Sequence, residues 1–276
     1  AETDGAIGTE CIGCHSPVGM AARRLVTPDD IGRLDAISAA GVQCDYCHSV
    51  DSTHYLETKA REPHNMAVTL DPGELKRGPW NNSESTFHAS AYSALHKSAE
   101  FCGNCHNVFG ARTGFPVERT YDEWKQSVYA RAGIVCQNCH MASAADAANV
   151  ARTLKPVAKP GNSSDIGPER PHVNDHWFTG GNTVVPALLG SEKHAESAAQ
   201  RLKSAAELEL SASARGDGNI ELIVKVKNVG AGHNLPTSLT ELREMWLDVV
   251  ATDAAGTVVF RSGALDENGD LAEDAV

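Results

Sequence analysis

The spacing of apolar and polar residues changes near residue 206 of the chain. Before that point the periodicity is helical, and the predicted helices are marked mainly by their end signals. One helix begins at Thr27–Asp30, which offers an N-cap, a first-turn proline and acidic residues, and it ends at Gly41. A second begins with a capping box at Thr120–Glu123 and ends at Gly133. A third is predicted from the N-cap Ser85 to His96.

After residue 206 apolar and polar residues alternate, which is typical of strands. Segments 207–212 and 220–226 predict one hairpin around Gly216–Gly218, and segments 245–251 and 257–261 predict another. The predicted fold is therefore a mainly α and irregular domain over 1–182, a connecting helix over 183–206, and a small antiparallel β-sandwich-like module over 207–276. This module is short for a sandwich, so either the natural chain runs on or a partner completes the sheet.

All eight cysteines fall into four C-x-x-C pairs, and a histidine directly follows each pair. Each cysteine is a predicted attachment point for a haem vinyl group, and each adjacent histidine is a predicted proximal iron ligand. Zinc sites, redox dithiols or disulfides would also use C-x-x-C pairs, but none of them explains a histidine after every pair. The sequence therefore predicts four haem c groups, at Cys11-Cys14-His15, Cys44-Cys47-His48, Cys102-Cys105-His106 and Cys136-Cys139-His140.

The four motifs repeat in pairs. The first and third are 91 residues apart, and the second and fourth are 92 residues apart. Ala40–Gln43 before the second motif matches Ala132–Val135 before the fourth, and a predicted helix precedes each. The haem region is therefore predicted to be two tandem dihaem units, with the four haems close enough to form a chain.

Low-spin haem iron needs a sixth ligand, and the remaining histidines are the favoured source because the chain has only four methionines. The preferred distal ligands are His88, His96, His176 and His233. The less favoured candidates are His172, His54 and His64. His233 lies in the glycine-rich segment 229–237, which can approach a neighbouring group closely. His194 lies on a predicted helix with an alanine and leucine face and is not among the preferred ligands.

The formal net charge of −12 disfavours nucleic acid or anionic lipid as a partner and suits a basic redox protein. Residues 207–276 carry much of this acidity, with 13 acidic and 5 basic side chains. No stretch approaches the roughly 20 apolar residues of a membrane span. The opening segment 1–5 reads like the residues that follow a cleaved signal peptide, although a trimmed chain would look the same.

The segments from Glu10 to Asn182 and from Gly232 to Thr237 resemble exported multihaem cytochromes of respiratory bacteria. Similar proteins include tetrahaem cytochromes of nitrifiers and cytochromes of extracellular electron-transfer chains, some of which form filaments. The resemblance implies haem c, bis-histidine ligation and a periplasmic or extracellular location.

Three functions are compatible with this sequence. The preferred one is electron transfer through four bis-histidine haems at low potential, with other redox proteins or cytochromes as partners and no catalytic residues. The second is a multihaem reductase with one five-coordinate haem. The third is a structural role in a larger complex or filament, through the β-module.

Overall fold

A computed structural model describes residues 7–23, 28–54, 67–110 and 114–272 of the chain. Its helices are short, and most lie before residue 206. The α-helices of the described residues are Ile7–His15, Pro17–Ala21, Ala36–Ala39, Cys44–Ser49, Ala99–Gly103, Thr120–Gln126, Val128–Arg131, Cys136–His140, Ala144–Thr153, Val184–Leu188 and Glu192–Ala205. Short 3₁₀ segments cover Pro28–Arg33, Ala94–Lys97 and Thr240–Leu242.

The strands of the described residues form five two-stranded sheets. Four are antiparallel, and the pair Leu75–Gly78 with Ala89–Tyr92 is parallel. The antiparallel pairs are Val50–Thr53 with Val68–Leu70, Gly161–Asn162 with Glu169–Arg170, Ala206–Ala214 with Ile220–Asn228, and Val249–Thr252 with Val258–Ser262. This combination of short helices and small sheets agrees in general terms with the predicted fold class.

Both predicted hairpins form. In the first, every residue of Ala206–Ala214 pairs with one of Ile220–Asn228, and Gly218 takes a positive φ of 85° in the turn. The contacts divide the chain into one unit of Ala1–Ser238 and a second of Leu239–Val276, with one hairpin in each. The sandwich arrangement and the domain boundaries at 182 and 206 remain predictions. The predicted connecting helix is two helices, separated by a turn at Gly190.

The two helices predicted before the second and fourth motifs are each interrupted, so these predictions were wrong in detail. Asp35 caps a new helix at Ala36–Ala39, because its Oδ1 accepts the amides of Ile37 and Ser38 at 3.0 Å. Ser127 caps Val128–Arg131 in the same way. Such side chains offer backbone amides an alternative to continuing the preceding helix.

The capping box predicted at Thr120 is also absent, since Arg119 occupies the cap position without a side-chain cap bond. The glycine stops were placed correctly, with φ values of 73° at Gly41 and 74° at Gly133. The new caps Asp35 and Ser127 are separated by 92 residues, the same offset as the second and fourth motifs.

The helix predicted from Ser85 to His96 does not form. Ala89–Tyr92 is instead a strand beside Leu75–Gly78, and a 3₁₀ turn at Ala94–Lys97 carries His96. Both carboxylate oxygens of Asp165 accept the amide of Thr86, at 3.2 Å each. Partners distant in sequence therefore override the local helical preference.

The core of the described chain is small and lies around the third and fourth motifs. Tyr121 and Ala99 are buried in one cluster, and Ile134 and Val150 are buried in another. Trp124 packs against both clusters. Two attachment cysteines, Cys136 and Cys139, also pack on these clusters, so the core is continuous with the motifs.

No described helix has the length and apolar character that crossing a membrane requires.

Candidate haem-binding sites

Each C-x-x-C-H motif lies on a helical turn. The first is the end of Ile7–His15, and the second and fourth start the helices Cys44–Ser49 and Cys136–His140. In the third, the amides of Cys105 and His106 both bond to the carbonyl of Cys102, at 3.1 and 2.9 Å. Helical backbone places residues three apart on one side of the turn, so both thiols of each motif can reach one haem.

The third motif lies among the other three. The thiols of Cys14 and Cys105 are close enough to shift each other's pKa, and so are those of Cys102 and Cys136. Burial is the main cause that raises the pKa of the Tyr46 hydroxyl in the second motif. Thiols of the third and first motifs are close enough to raise it further. The thiol contacts therefore join the first to the third motif and the third to the fourth.

Burial also affects the thiols of the second and fourth motifs. It raises the pKa of Cys47 to about 11, and of Cys139 to about 11. Both side chains are therefore neutral thiols at pH 7 in the polypeptide. Among the described residues, no three histidine, cysteine or carboxylate side chains converge as a metal-ion cluster would require.

Two of the predicted proximal histidines are oriented by backbone carbonyls. Nδ1 of His48 donates to the carbonyl of Arg77 at 2.6 Å, and Nδ1 of His140 donates to that of Thr179 at 3.0 Å. Such bonds fix the tautomer of a metal-binding histidine and leave Nε2 to the metal. Burial lowers the pKa of His140 to about 4, so its ring is neutral at pH 7, as an iron ligand must be.

His106, the predicted proximal histidine of the third motif, has a different partner. Its Nδ1 lies 3.0 Å from Oε1 of Glu118, whose side chain is 12% exposed. This carboxylate raises the pKa of His106. The third motif therefore has a negatively charged neighbour where the second and fourth have neutral carbonyls.

His233 faces His140 across the fourth motif. Their ring centroids are 6.2 Å apart and the ring planes differ by 21°. The loop that carries His233 is tied to the helix Thr120–Gln126, because Oε2 of Glu123 accepts bonds from the Asn234 amide at 3.1 Å and the Thr237 hydroxyl at 2.6 Å.

Two of the predicted distal ligands approach His48. The ring centroid of His96 is 5.7 Å away, and that of His176 is 6.3 Å away. Nε2 of His96 bonds to the carbonyl of Cys47 at 2.9 Å, whereas its Nδ1 is buried without a hydrogen-bond partner. An unpaired nitrogen in such a place fits a group that the polypeptide itself does not supply.

These separations can be compared with those of two imidazoles on opposite sides of one metal. A metal–nitrogen bond of about 2.0–2.1 Å, with the ring centroid about 1.1 Å further out, places the two centroids about 6.3 Å apart. The pairs His140–His233 and His48–His176 match this separation, and His48–His96 is within 0.6 Å of it. The residues of the second and fourth motifs therefore fit a bis-histidine haem.

The remaining predicted ligands lie elsewhere. His88 is exposed, with its Nδ1 3.1 Å from the carbonyl of Ala89. Nε2 of His172 bonds to Asn174 at 2.9 Å, and its Nδ1 is buried without a partner. His54 is described, with its amide bonded to the carbonyl of Ala67. His64 lies outside the described residues.

His194 bonds through both ring nitrogens, to the Ser191 hydroxyl at 2.6 Å and the Trp177 carbonyl at 3.0 Å. Sequence reasoning missed the partners Glu118 and Glu123. Glu123 was noticed only as part of a capping box, and no local pattern marks either one as a neighbour of a haem site. Their roles depend on loops that return from elsewhere in the chain.

No family model matches this chain, and no curated protein does. A crystal structure of a penta-heme cytochrome c552 from Thermochromatium tepidum is similar, with a TM-score of 0.54 and 19% sequence identity. The similarity covers 95% of this chain and 65% of that chain. The chain therefore spans about two thirds of that protein's length, and its fold is similar to that of a multihaem c-type cytochrome.

Proposed function

We propose that this protein transfers electrons through four covalently attached c-type haems, each with two histidine ligands. The observation that carries this proposal is the pair His140–His233. Its 6.2 Å centroid separation would suit two ligands of one iron, and the Thr179 carbonyl binds Nδ1 of His140, which leaves Nε2 available to a metal. The count of four comes from the four attachment motifs, whereas the similar structure is named as a penta-heme protein.

The ligand pairs can be assigned in part. His233 is the distal ligand of the fourth haem, and His176 or His96 is that of the second. His88, His172, His54 and His64 remain available for the other two irons. When bound, haem supplies the one-electron chemistry of iron, and two histidine ligands leave no coordination position for a substrate.

The polypeptide has three tasks in this proposal. The cysteines hold each haem by two thioethers, and the carbonyls of Arg77 and Thr179 orient two proximal rings. The buried ring of Tyr121 and the partly buried ring of Trp124 exclude water beside the third and fourth motifs. Exclusion of water keeps the polar surroundings of the iron nearly unchanged between oxidation states, which favours rapid electron transfer.

The electron path follows the motif contacts. The thiol pairs Cys14–Cys105 and Cys102–Cys136 support an order in which the third haem connects the first and the fourth. Two tandem dihaem units remain part of the proposal, supported by the 92-residue offset of caps, glycines and motifs. Contacts between the first and third motifs would join the two units.

The location and partners are also part of the proposal. Haem attachment to C-x-x-C-H motifs takes place outside the cytoplasm, so a periplasmic or extracellular location is expected. The net charge of −12 favours basic redox partners. The proposal also includes association with further cytochromes, or with a larger complex, through the segment after residue 206.

The proposal is tested by counting covalent haems. Intact-mass measurement of the denatured protein, with alkaline pyridine spectra, is expected to give four haems per chain. The double variant Cys136→Ser/Cys139→Ser is expected to give three. A wild-type count other than four, or an unchanged count in the variant, would contradict the assignment. The alternative function, a multihaem reductase, would in addition show one five-coordinate haem.

A further inference from the structure

Glu118 is held rigidly beside His106. Its amide donates to the Val108 carbonyl at 3.0 Å, and its carbonyl accepts the Val108 amide at 2.8 Å. These two bonds fix the backbone of Glu118 to the chain just after the third motif. The Thr120 hydroxyl also donates to Oε1 at 3.3 Å. The carboxylate therefore has a defined position, with its side chain mostly shielded from solvent.

The partner of a proximal histidine tunes the metal to which that histidine binds. A carboxylate attracts the Nδ1 proton more strongly than a carbonyl does, so the imidazole becomes a better electron donor. Stronger donation stabilises ferric iron relative to ferrous iron and lowers the reduction potential. The negative charge close to the ring acts in the same direction.

From this contrast, and resting on the proposed function, we infer that Glu118 sets the potential of the third haem below those of the second and fourth. Glu118 is a positioning and tuning residue that acts through His106. The second and fourth proximal histidines donate to neutral carbonyls, of Arg77 and Thr179. The difference comes from the backbone pairing of Val108 with Glu118, which brings this carboxylate to the third of the four C-x-x-C-H motifs.

The variant Glu118→Gln tests this inference. Glutamine keeps an oxygen that can accept the Nδ1 proton of His106, but it removes the negative charge. Redox titration of the holoprotein is expected to resolve four one-electron components. In the variant, the ratio of reduced to oxidised haem for one component rises about tenfold at a fixed potential, which corresponds to about 59 mV for a one-electron couple. The midpoint potentials of the other three components are expected to change by only a small part of that shift.

Glu100→Gln is the matched control. Glu100 belongs to the helix Ala99–Gly103 of the same motif, and its carboxylate accepts the Tyr121 hydroxyl at 2.9 Å instead of contacting His106. This variant removes the same charge near the same haem. An equal shift in both variants would attribute the effect to general charge and overturn the role of the direct bond. No shift in Glu118→Gln would overturn the inference entirely.

Failure of the inference differs from failure of the proposed function. Four low-spin haems whose potentials do not respond to Glu118→Gln would refute only the tuning role. Fewer than four haems would refute the proposed function. If Glu118→Gln does not assemble, Glu118→Asp retains the charge but shortens the side chain by one methylene. This second variant is expected to shift the same component in the same direction, and an unchanged component would refute the inference.

Discussion

Replacing Glu123 tests whether its carboxylate holds His233 in place. The loop that carries His233 is bound by two hydrogen bonds to Oε2 of Glu123, from the Asn234 amide at 3.1 Å and the Thr237 hydroxyl at 2.6 Å. The variant Glu123→Gln keeps one carbonyl oxygen in nearly the same position. It therefore weakens both bonds by removing the charge without creating a cavity.

The size of the effect follows from those two bonds. A hydrogen bond to a charged group contributes about 1.5–3 kcal/mol net, compared with about 1 kcal/mol for a neutral pair. The loss for two bonds is thus about 1–4 kcal/mol, and partial exposure of the site favours the lower end. A change of about 1–2 kcal/mol raises the population of the detached loop by about 5- to 30-fold.

Hydrogen exchange measures this population directly. The amide of Asn234 is itself a donor to Glu123, so its exchange in the holoprotein is expected to accelerate by the same 5- to 30-fold, as followed by mass spectrometry. Glu196→Gln is the control, because it removes an exposed charge from the helix Glu192–Ala205. Unchanged exchange at Asn234 in Glu123→Gln, or equal acceleration in both variants, would refute the role of this carboxylate.

Three further changes test other parts of the account. His233→Ala is expected to let the reduced protein bind carbon monoxide at one haem in four. The control His194→Ala is expected to bind none, because His194 is engaged through both ring nitrogens. Carbon monoxide binding in His194→Ala but not in His233→Ala would contradict the ligand assignment. Gly103→Ala would place a Cβ 2.8 Å from the buried ring of Tyr121. Chemical denaturation should therefore show that the free energy of unfolding falls by about 1–3 kcal/mol. An unchanged denaturation midpoint would contradict this packing. Backbone hydrogen bonds within its turn lower the pKa of Asp253 in the folded protein. The ionised carboxylate therefore stabilises the turn fully at any pH above the unfolded pKa of about 3.9. This stabilisation is lost as the pH falls through the lower pKa of the folded state. Amide protection in this turn, measured relative to the intrinsic exchange rate at each pH, should therefore fall in acid in the wild type but not in Asp253→Asn.

The sequence predicted the features that depend on short-range pattern. The attachment motifs lie on helical turns, and the hairpin over Ala206–Asn228 forms as alternation and turn glycines indicated. The glycine stops at 41 and 133 were also predicted correctly, since a positive φ there needs glycine. In each case the deciding interactions lie within a few residues of one another.

The sequence predicted less where distant partners decide. Ala89–Tyr92 became a strand because Leu75–Gly78 lies alongside it, which no local signal indicated. The ring pair His140–His233 joins positions 93 residues apart, and only the glycine-rich surroundings of His233 suggested a close approach. Nothing near Glu118 marked it as the partner of His106, because that contact depends on how the intervening loop folds back.

The most direct test of the central claim is low-temperature electron paramagnetic resonance of the oxidised holoprotein, with carbon-monoxide difference spectra of the reduced form. Four bis-histidine haems predict only low-spin ferric signals, integrating to four per chain, and no carbon-monoxide binding. A high-spin signal from one haem, together with carbon-monoxide binding at that haem, would contradict the account. It would instead favour an enzyme with three relay haems and one site of chemistry.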